Sequence, residues 1–159
     1  GMELLKLGNF NGLTAILAGL SNSAVYRLRG CQQSMPSESR ADWESMQQLM
    51  SPSGAYAEYR AALAQQQHSP PFIPYVGVHL TDLTFIGEGN KDWVEQQINF
   101  GKRQKAQAAI MSCLAGRVER YTFSTSPRIG LLIEATPRLT EDELYKQSLE
   151  LEPRGMYKA

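Results

Sequence analysis

Apolar residues recur at steps of three and four along much of the chain, which is the spacing of one apolar face of an α-helix. The first such stretch runs from Asn9 to Leu20. A break at Ser21–Ser23 separates it from a second stretch, which resumes at Ala24 and should end around Gly30, because glycine favours a helix stop. Residues 32–40 are predicted to be a loop.

Two further helices are predicted on either side of a Ser-Pro-Ser-Gly break at Ser51–Gly54. The apolar residues that mark the helix before the break are Trp43, Met46, Leu49 and Met50. Those that mark the helix after it are Tyr56, Tyr59 and Leu63. Both patterns are typical of amphipathic helices that lie on one core.

The segment Phe72–Val78 is rich in β-forming residues and could be a strand by propensity alone. A helix from about Tyr75 to Ile86 is favoured instead, since apolar residues recur there at steps of four and three. This helix is apolar around most of its circumference. We therefore expect it to lie between two other surfaces.

The polar segment Gly87–Asp92 is predicted to be a turn, followed by a helix that carries Ile98, Phe100 and further apolar residues up to Leu114. Helix, turn and helix together predict a hairpin. Ser126-Pro127 suits the start of another helix, and Thr140–Glu143 is a capping box that opens a last one. The chain is predicted to be a single all-α domain.

Composition limits the kinds of partner. The 159 residues contain 16 basic and 16 acidic side chains, so no net charge draws the chain to nucleic acid or to an anionic membrane. The two cysteines, Cys31 and Cys113, lie far apart in the sequence and are accompanied by only two histidines, a spacing that does not match a four-ligand zinc site. No apolar run reaches the roughly 18 residues of a membrane span. We expect no metal, no cofactor, no membrane insertion and a cytoplasmic location.

His79 and Asp82 lie three residues apart, a spacing that could indicate a catalytic base and the group that orients it. No nucleophile at a defined spacing completes such a set. Hydrolase chemistry is therefore not favoured.

Four stretches together resemble the catalytic domain of the Ras guanine-nucleotide exchange factors of the Cdc25-homology type. They are Asn9-Phe10-Asn11 with Gly19–Leu28, Pro70–Tyr75, Leu80–Asn90, and Ile98-Asn99-Phe100 with Lys102-Arg103. The segment from Leu144 to Arg154 is similar to the C-terminal end of that family's domain. The order and spacing match over almost the whole chain.

The resemblance implies an all-α domain with a protruding helical hairpin, in which residues 1–159 form the C-terminal portion and several N-terminal helices are lacking. It implies a Ras-family small GTPase, of the Ras or Rap type, as the partner. Exchange needs no covalent chemistry and no cofactor, since the factor binds the nucleotide-free GTPase better than the loaded form. The hairpin, from Tyr75 to about Leu114, would hold open the switch segment that covers the nucleotide.

The resemblance also implies site residues. Glu88 corresponds to the acidic residue directed toward the phosphate and magnesium site, and Thr84 lies one helical turn earlier on the same face. A family member carries leucine at the position of Thr84, which presses on the metal site. Residues expected to contact the GTPase are Ser21, Asn22, Tyr56, Tyr75, Thr81, Asn90 and Lys105.

Three alternatives remain at the level of sequence. Without the resemblance, Glu88 would be a solvated turn residue, and Tyr56 and Tyr75 could be half-buried core aromatics. An adaptor module of the same fold would hold a partner without releasing nucleotide. A helical fragment could instead associate with itself through an incompletely covered core.

Overall fold

The computed structural model describes residues 1–156, which form ten α-helices, one short 3-10 helix and a two-stranded hairpin. The helices are α1 (Met2–Lys6), α2 (Phe10–Ser21), α3 (Ser23–Tyr26), α4 (Arg29–Gln33), α5 (Ser37–Leu49), α6 (Ser53–Gln66), α7 (Val76–Gly89), α8 (Phe100–Leu114), α9 (Pro127–Ala135) and α10 (Glu141–Leu151). The strands are β1 (Trp93–Val94) and β2 (Gln97–Ile98), which pair antiparallel, and the 3-10 helix spans Ala115–Val118. The all-α class is confirmed.

The core forms where α2, α5, α6 and the start of α7 meet. Its buried apolar residues are Phe10, Leu13, Leu17, Met46, Met50, Tyr59, Leu63, Phe72 and Val78. The three largest fully buried side chains are Tyr59, Phe10 and Leu13, and the rings of Phe10 and Tyr59 pack edge to face at 5.3 Å. Asn9 caps α2 by accepting a hydrogen bond from the amide of Gly12 at 2.7 Å.

The predicted helices α2, α5, α6 and α7 are present, and the strand alternative at residues 72–78 is limited to one parallel bridge between Asn9 and Ile73. The Ser51–Gly54 break takes an unusual form, because Gly54, Ala55 and Tyr56 have left-handed φ angles of 58°, 56° and 63°. Regular right-handed helix resumes after Tyr56.

Two predictions between residues 24 and 40 are wrong. The second helix ends at Tyr26, and Gly30 lies inside a separate helix, α4, that begins at Arg29. Most of the predicted loop is also helical, since α4 ends at Gln33 and α5 begins at Ser37. Gly30 does not end a helix because a residue far along the chain stabilises α4 at this position. The Glu152 carboxylate accepts a hydrogen bond from the Gly30 amide at 3.0 Å and thereby caps α4.

The predicted hairpin is present, although the connection between its two helices, residues 90–99, is longer than the predicted turn at 87–92. Helix α7 continues through Gly89, so Glu88 lies in its last turn and not in a loop. Ile98, predicted to be helical, lies in β2 opposite Trp93, and α8 begins only at Phe100. A two-stranded β-hairpin therefore forms the tip between α7 and α8.

The expectation that α7 lies between two surfaces is not met in the described residues. Only Val78 and His79 of this helix are buried. The side chains of Leu80 and Phe85 are 58% and 69% exposed. Helix α7 is thus covered mainly on the side that faces α8 and α6, with an apolar face left open.

The last two helices follow their predicted signals. Pro127 stands in the first turn of α9, and Thr140 and Glu143 form the predicted capping box at the start of α10. Helix α10 packs against α3, whereas the four large apolar side chains of α9 are exposed.

Candidate functional site at the helical hairpin

The tip of the hairpin is fixed by a small polar network. Asn99 caps α8 by accepting from the Lys102 amide at 3.1 Å, and its side-chain amide donates to the Lys91 carbonyl at 2.9 Å. The Lys102 ammonium group donates to the Gly87 carbonyl at 2.8 Å and lies 3.1 Å from a carboxylate oxygen of Asp92. Arg103 also pairs with Asp92, at 2.9 Å. These contacts hold the end of α7 against the start of α8.

Glu88 extends from the last turn of α7 into solvent. Its carboxylate makes no hydrogen bond or ion pair with any residue the structure describes. The C-terminal end of a helix carries partial negative charge, so an unpaired carboxylate there is electrostatically unfavourable. Glu88 therefore does not stabilise α7 through any contact that the structure describes.

The two threonines predicted at the site, Thr81 and Thr84, are exposed on α7. Each hydroxyl donates to the carbonyl four residues earlier, Thr81 to Gly77 at 2.9 Å and Thr84 to Leu80 at 3.0 Å. These bonds fix the hydroxyl orientation without using the acceptor lone pairs. Thr84 and Glu88 are four residues apart and so occupy one face of α7.

Asn90 and Lys105 meet beside the tip. The half-buried Asn90 donates to the Ile86 carbonyl at 3.0 Å, which satisfies one of the free carbonyls at the end of α7. Lys105 reaches the side-chain oxygen of Asn90 at 3.5 Å, a long contact. Asn90 thus ends α7, and Lys105 places a positive charge on the adjoining face of α8.

Tyr56 and Tyr75 form an aromatic pair where α6 and α7 begin. Their ring centroids are 6.2 Å apart, and both rings are half-buried against the core. The Tyr75 amide donates to the buried Tyr59 hydroxyl at 2.9 Å, which fixes the backbone that enters α7. Tyr56 is held in the left-handed conformation, a strained arrangement for a residue with a side chain.

Ser21 ends α2 and Asn22 links it to α3; the two residues are called the Ser21–Asn22 turn. Ser21 is exposed, and Asn22 caps α3 by accepting from the Ala24 amide at 2.9 Å. The Asn22 amide also donates to the Glu141 carboxylate at 2.9 Å. The contact between Asn22 and Glu141 was not identified from the sequence, since 119 residues separate the two positions.

The predicted site residues therefore fall into three groups: the hairpin, the Tyr56–Tyr75 pair and the Ser21–Asn22 turn. Among the described residues, the recorded contacts join Tyr56 to Tyr75 and Asn90 to Lys105. None of them joins Ser21 or Asn22 to the other two groups. The first two groups are connected through α7, which starts beside Tyr75 and ends beside Glu88.

His79 and Asp82 do not form the base and orienting pair that their spacing allows. Asp82 accepts two hydrogen bonds from the Arg60 guanidinium, each at 2.8 Å. His79 is buried with its Nε2 atom 3.5 Å from the Tyr59 hydroxyl. Burial lowers the pKa of His79, and burial raises the pKa of Tyr59 to about 12.

A cleft of about 460 Å³ lies between α7 and α8 beside Arg60 of α6, and its lining includes His79, Asp82 and Lys105. No group of three or more His, Cys, Asp or Glu side chains that could hold a metal ion occurs in residues 1–156. Within the same residues, no helix is long and apolar enough to cross a membrane.

Comparison with known proteins identifies the family. The model of the RasGEF domain matches residues 1–104. The chain is 40% identical over 149 residues to Ras guanine nucleotide exchange factor I of Dictyostelium discoideum, which covers 94% of this chain and 18% of that protein. It is 34% identical over 158 residues to human Ras guanyl-releasing protein 3, covering 96% of this chain and 22% of that protein.

The chain also matches cell division control protein 25 of Candida albicans, with 34% identity over 154 residues that cover 94% of this chain and 12% of that protein. It thus spans about a fifth or less of the length of these curated relatives. The family model accounts for more than half of the chain, and its match includes α1 to α7 and the start of α8. The chain belongs to the RasGEF domain family.

Proposed function

We propose that residues 1–159 are the C-terminal portion of a guanine-nucleotide exchange domain that releases GDP from a Ras-family small GTPase. The observation that carries this proposal is the position of Glu88, an unpaired carboxylate at the end of a helix in a rigidly closed hairpin. The names of the relatives support a Ras-family partner. A cytoplasmic location, with other domains recruiting the protein to membranes, is part of the same proposal.

The hairpin acts as the wedge. Its tip is fixed by Lys102, Asp92 and Arg103, so the energy of docking is not spent on ordering the tip. A carboxylate brought close to the nucleotide repels its phosphates and competes with them for cations. Glu88 supplies that carboxylate, and Thr84 on the same face supplies a small polar contact.

Docking is assigned mainly to surfaces away from the tip. The Tyr56–Tyr75 pair presents two half-buried aromatic rings with polar ends, a combination that suits protein interfaces. Ser21, Asn22 and Thr81 supply further polar contacts, and Asn90 and Lys105 supply theirs beside the tip. Because the factor binds the nucleotide-free GTPase more tightly than the loaded form, nucleotide affinity falls by the same factor.

The test is release of a fluorescent guanine nucleotide from Ras and, side by side, from Rap, with this chain added. We expect Glu88→Ala to slow release on the order of tenfold, because it removes an interaction specific to the open state. Docking to the nucleotide-free GTPase, measured by biolayer interferometry, should change less than about twofold.

A matched control is Glu134→Gln, which removes an exposed carboxylate on α9, away from the hairpin. It should leave both release and docking unchanged. Equal loss of release and docking in Glu88→Ala would assign a structural role to Glu88. Docking by the unmodified chain without any release would favour the adaptor function.

Self-association is the remaining partner proposal. It is supported by the exposed apolar side chains on α9.

A further inference from the structure

Helix α3 is unusually dependent on another part of the chain. It has four residues, too few for a helix that is stable by itself. Helix α10 lies beside it in the same direction, with Glu141 near the start of α3 and Ser148 near its end. More than 110 residues of chain separate the two helices.

The contacts at the end of α3 centre on Arg27. Its guanidinium donates to the Ser148 carbonyl at 2.6 Å, to the Ser148 hydroxyl at 3.1 Å and to the Glu152 carbonyl at 2.7 Å. It also lies 5.8 Å from the centre of the Tyr145 ring. Three bonds from one planar cation fix both the distance and the angle between the two helices.

Glu152 extends this contact to α4. It is only 8% exposed, and its carboxylate accepts from the amides of Gly30 at 3.0 Å and Cys31 at 3.4 Å. A buried carboxylate is costly unless it is hydrogen-bonded, so this pairing strongly prefers one position of α4 relative to α10. Helix α10 therefore holds the start of α3, its end and the beginning of α4.

We propose that α10 is a positioning element for the Ser21–Asn22 turn, with Arg27 and Glu152 as its positioning residues. The turn stands at the start of α3, so the orientation of α3 sets the direction in which Ser21 and Asn22 face. This inference rests on the proposed function, in which the turn contacts the GTPase. It extends the functional unit to residues 141–152, beyond the range that the family model matches.

The test compares Glu152→Ala with Glu152→Gln, in which the amide oxygen can still accept from the α4 amides. Nucleotide release is measured against GTPase concentration. Glu152→Ala should raise the half-saturating concentration on the order of fivefold at an unchanged maximal rate. Glu152→Gln should stay close to the half-saturating concentration of the unmodified chain. Arg27→Lys should resemble Glu152→Ala, since an ammonium group cannot reproduce the planar fork.

Glu150→Ala is the control, because Glu150 is exposed on α10. It should leave the half-saturating concentration unchanged. Hydrogen exchange without GTPase provides a second readout: Glu152→Ala should speed exchange at the amides of residues 24–28 and leave α6 unaffected. Unchanged exchange there, or a lower maximal rate at an unchanged half-saturating concentration, would overturn the proposal. If the unmodified chain released no nucleotide, the proposed function would fail, and hydrogen exchange would still decide whether α10 orders the turn.

Discussion

His79 is a titratable side chain held in the core between α6 and α7. Its side chain is 4% exposed, and the groups that face it are the Tyr59 hydroxyl, the Asp82 carboxylate and the Arg60 guanidinium. Desolvation lowers its pKa, and the attraction of Asp82 only partly opposes this effect. The folded protein therefore favours neutral His79, with Nε2 free to accept from Tyr59.

This burial makes the free energy of unfolding depend on pH. The pKa of His79 is lower in the folded state than in the unfolded chain, so the unfolded chain binds more protons between the two values. The stability contributed by neutral His79 is complete above the ordinary histidine pKa. It is lost as pH falls from there toward the folded value.

Urea unfolding at pH 7.5 and pH 5.5 would test this coupling. The unmodified protein should be less stable at the lower pH. His79→Asn should remove the part of this difference in stability that comes from protonation of His79. His68→Asn replaces the other histidine, which is exposed, and should keep the pH dependence. An unchanged pH dependence in His79→Asn would show that His79 does not titrate in the expected sense.

Individual site residues were predictable from the sequence only in part. The resemblance implies site roles for Glu88 and the two tyrosines, which stay predictions, and the structure adds local geometry that the sequence could not show. The carboxylate of Glu88 stands on a helix end, and Tyr56 has a left-handed backbone. Glu141, Arg27 and Glu152 were missed, because a hydrogen bond across more than 110 residues leaves no local pattern.

At the scale of the elements, the start of α6 is a strained left-handed turn of three residues. Gly54 adopts such a φ angle readily, but Ala55 and Tyr56 have a Cβ atom that crowds the carbonyl oxygen in this conformation. The Ala55 carbonyl accepts from the Arg60 side chain at 2.7 Å, a contact that helps to hold the turn. The left-handed backbone conformation places the Tyr56 ring beside that of Tyr75.

Ala55→Gly should therefore stabilise the protein. The substitution relieves the left-handed strain at an exposed site and loses little buried surface, so we expect a gain of about 0.5–1 kcal/mol in the free energy of unfolding. In a chain of this size that corresponds to roughly 1–4 °C in Tm. Thermal unfolding followed by circular dichroism measures the shift.

The same substitution two residues later is the control. Ala57 is also exposed, but it lies in the regular right-handed part of α6. Ala57→Gly should destabilise the protein by about 0.5–1 kcal/mol, because glycine loses more backbone freedom in a helix than alanine does. A loss of stability in both variants would mean that the left-handed turn carries no strain at Ala55.

The elements that the sequence predicted correctly are those with a strong local pattern. Apolar spacing located α2, α5, α6 and α7, and capping residues located the starts of α9 and α10. The errors occur where distant groups determine the ends of helices. Glu152 caps α4 from far along the chain. Lys102 donates a hydrogen bond to the Gly87 carbonyl in the last turn of α7. Local propensity contains neither contact.

At the scale of the whole molecule, apolar surface is distributed unevenly. The core between α2, α5 and α6 is well covered, whereas α9 exposes Ile129, Leu131, Leu132 and Ile133 at 57–70%. Phe123, just before α9, is also 63% exposed. Large apolar side chains exposed this close together in the chain favour association.

We therefore expect this 159-residue chain to self-associate as its concentration rises. Burial of apolar side chains between copies would supply the driving force, at about 25 cal/mol for each Å² removed from water. Multi-angle light scattering over a concentration series should show a mass that increases with concentration. Leu132→Glu and Ile133→Glu should each return the mass toward that of one chain, since a charge would have to be buried in the contact.

Gln65→Glu adds the same charge to an exposed position on α6 and should leave association unchanged. This control separates the effect of apolar contact from that of net charge, which is zero in the unmodified chain. A constant single-chain mass at the highest concentration would contradict self-association. Equal suppression by all three variants would attribute it to general charge repulsion, and α9 would then have no specific part in it.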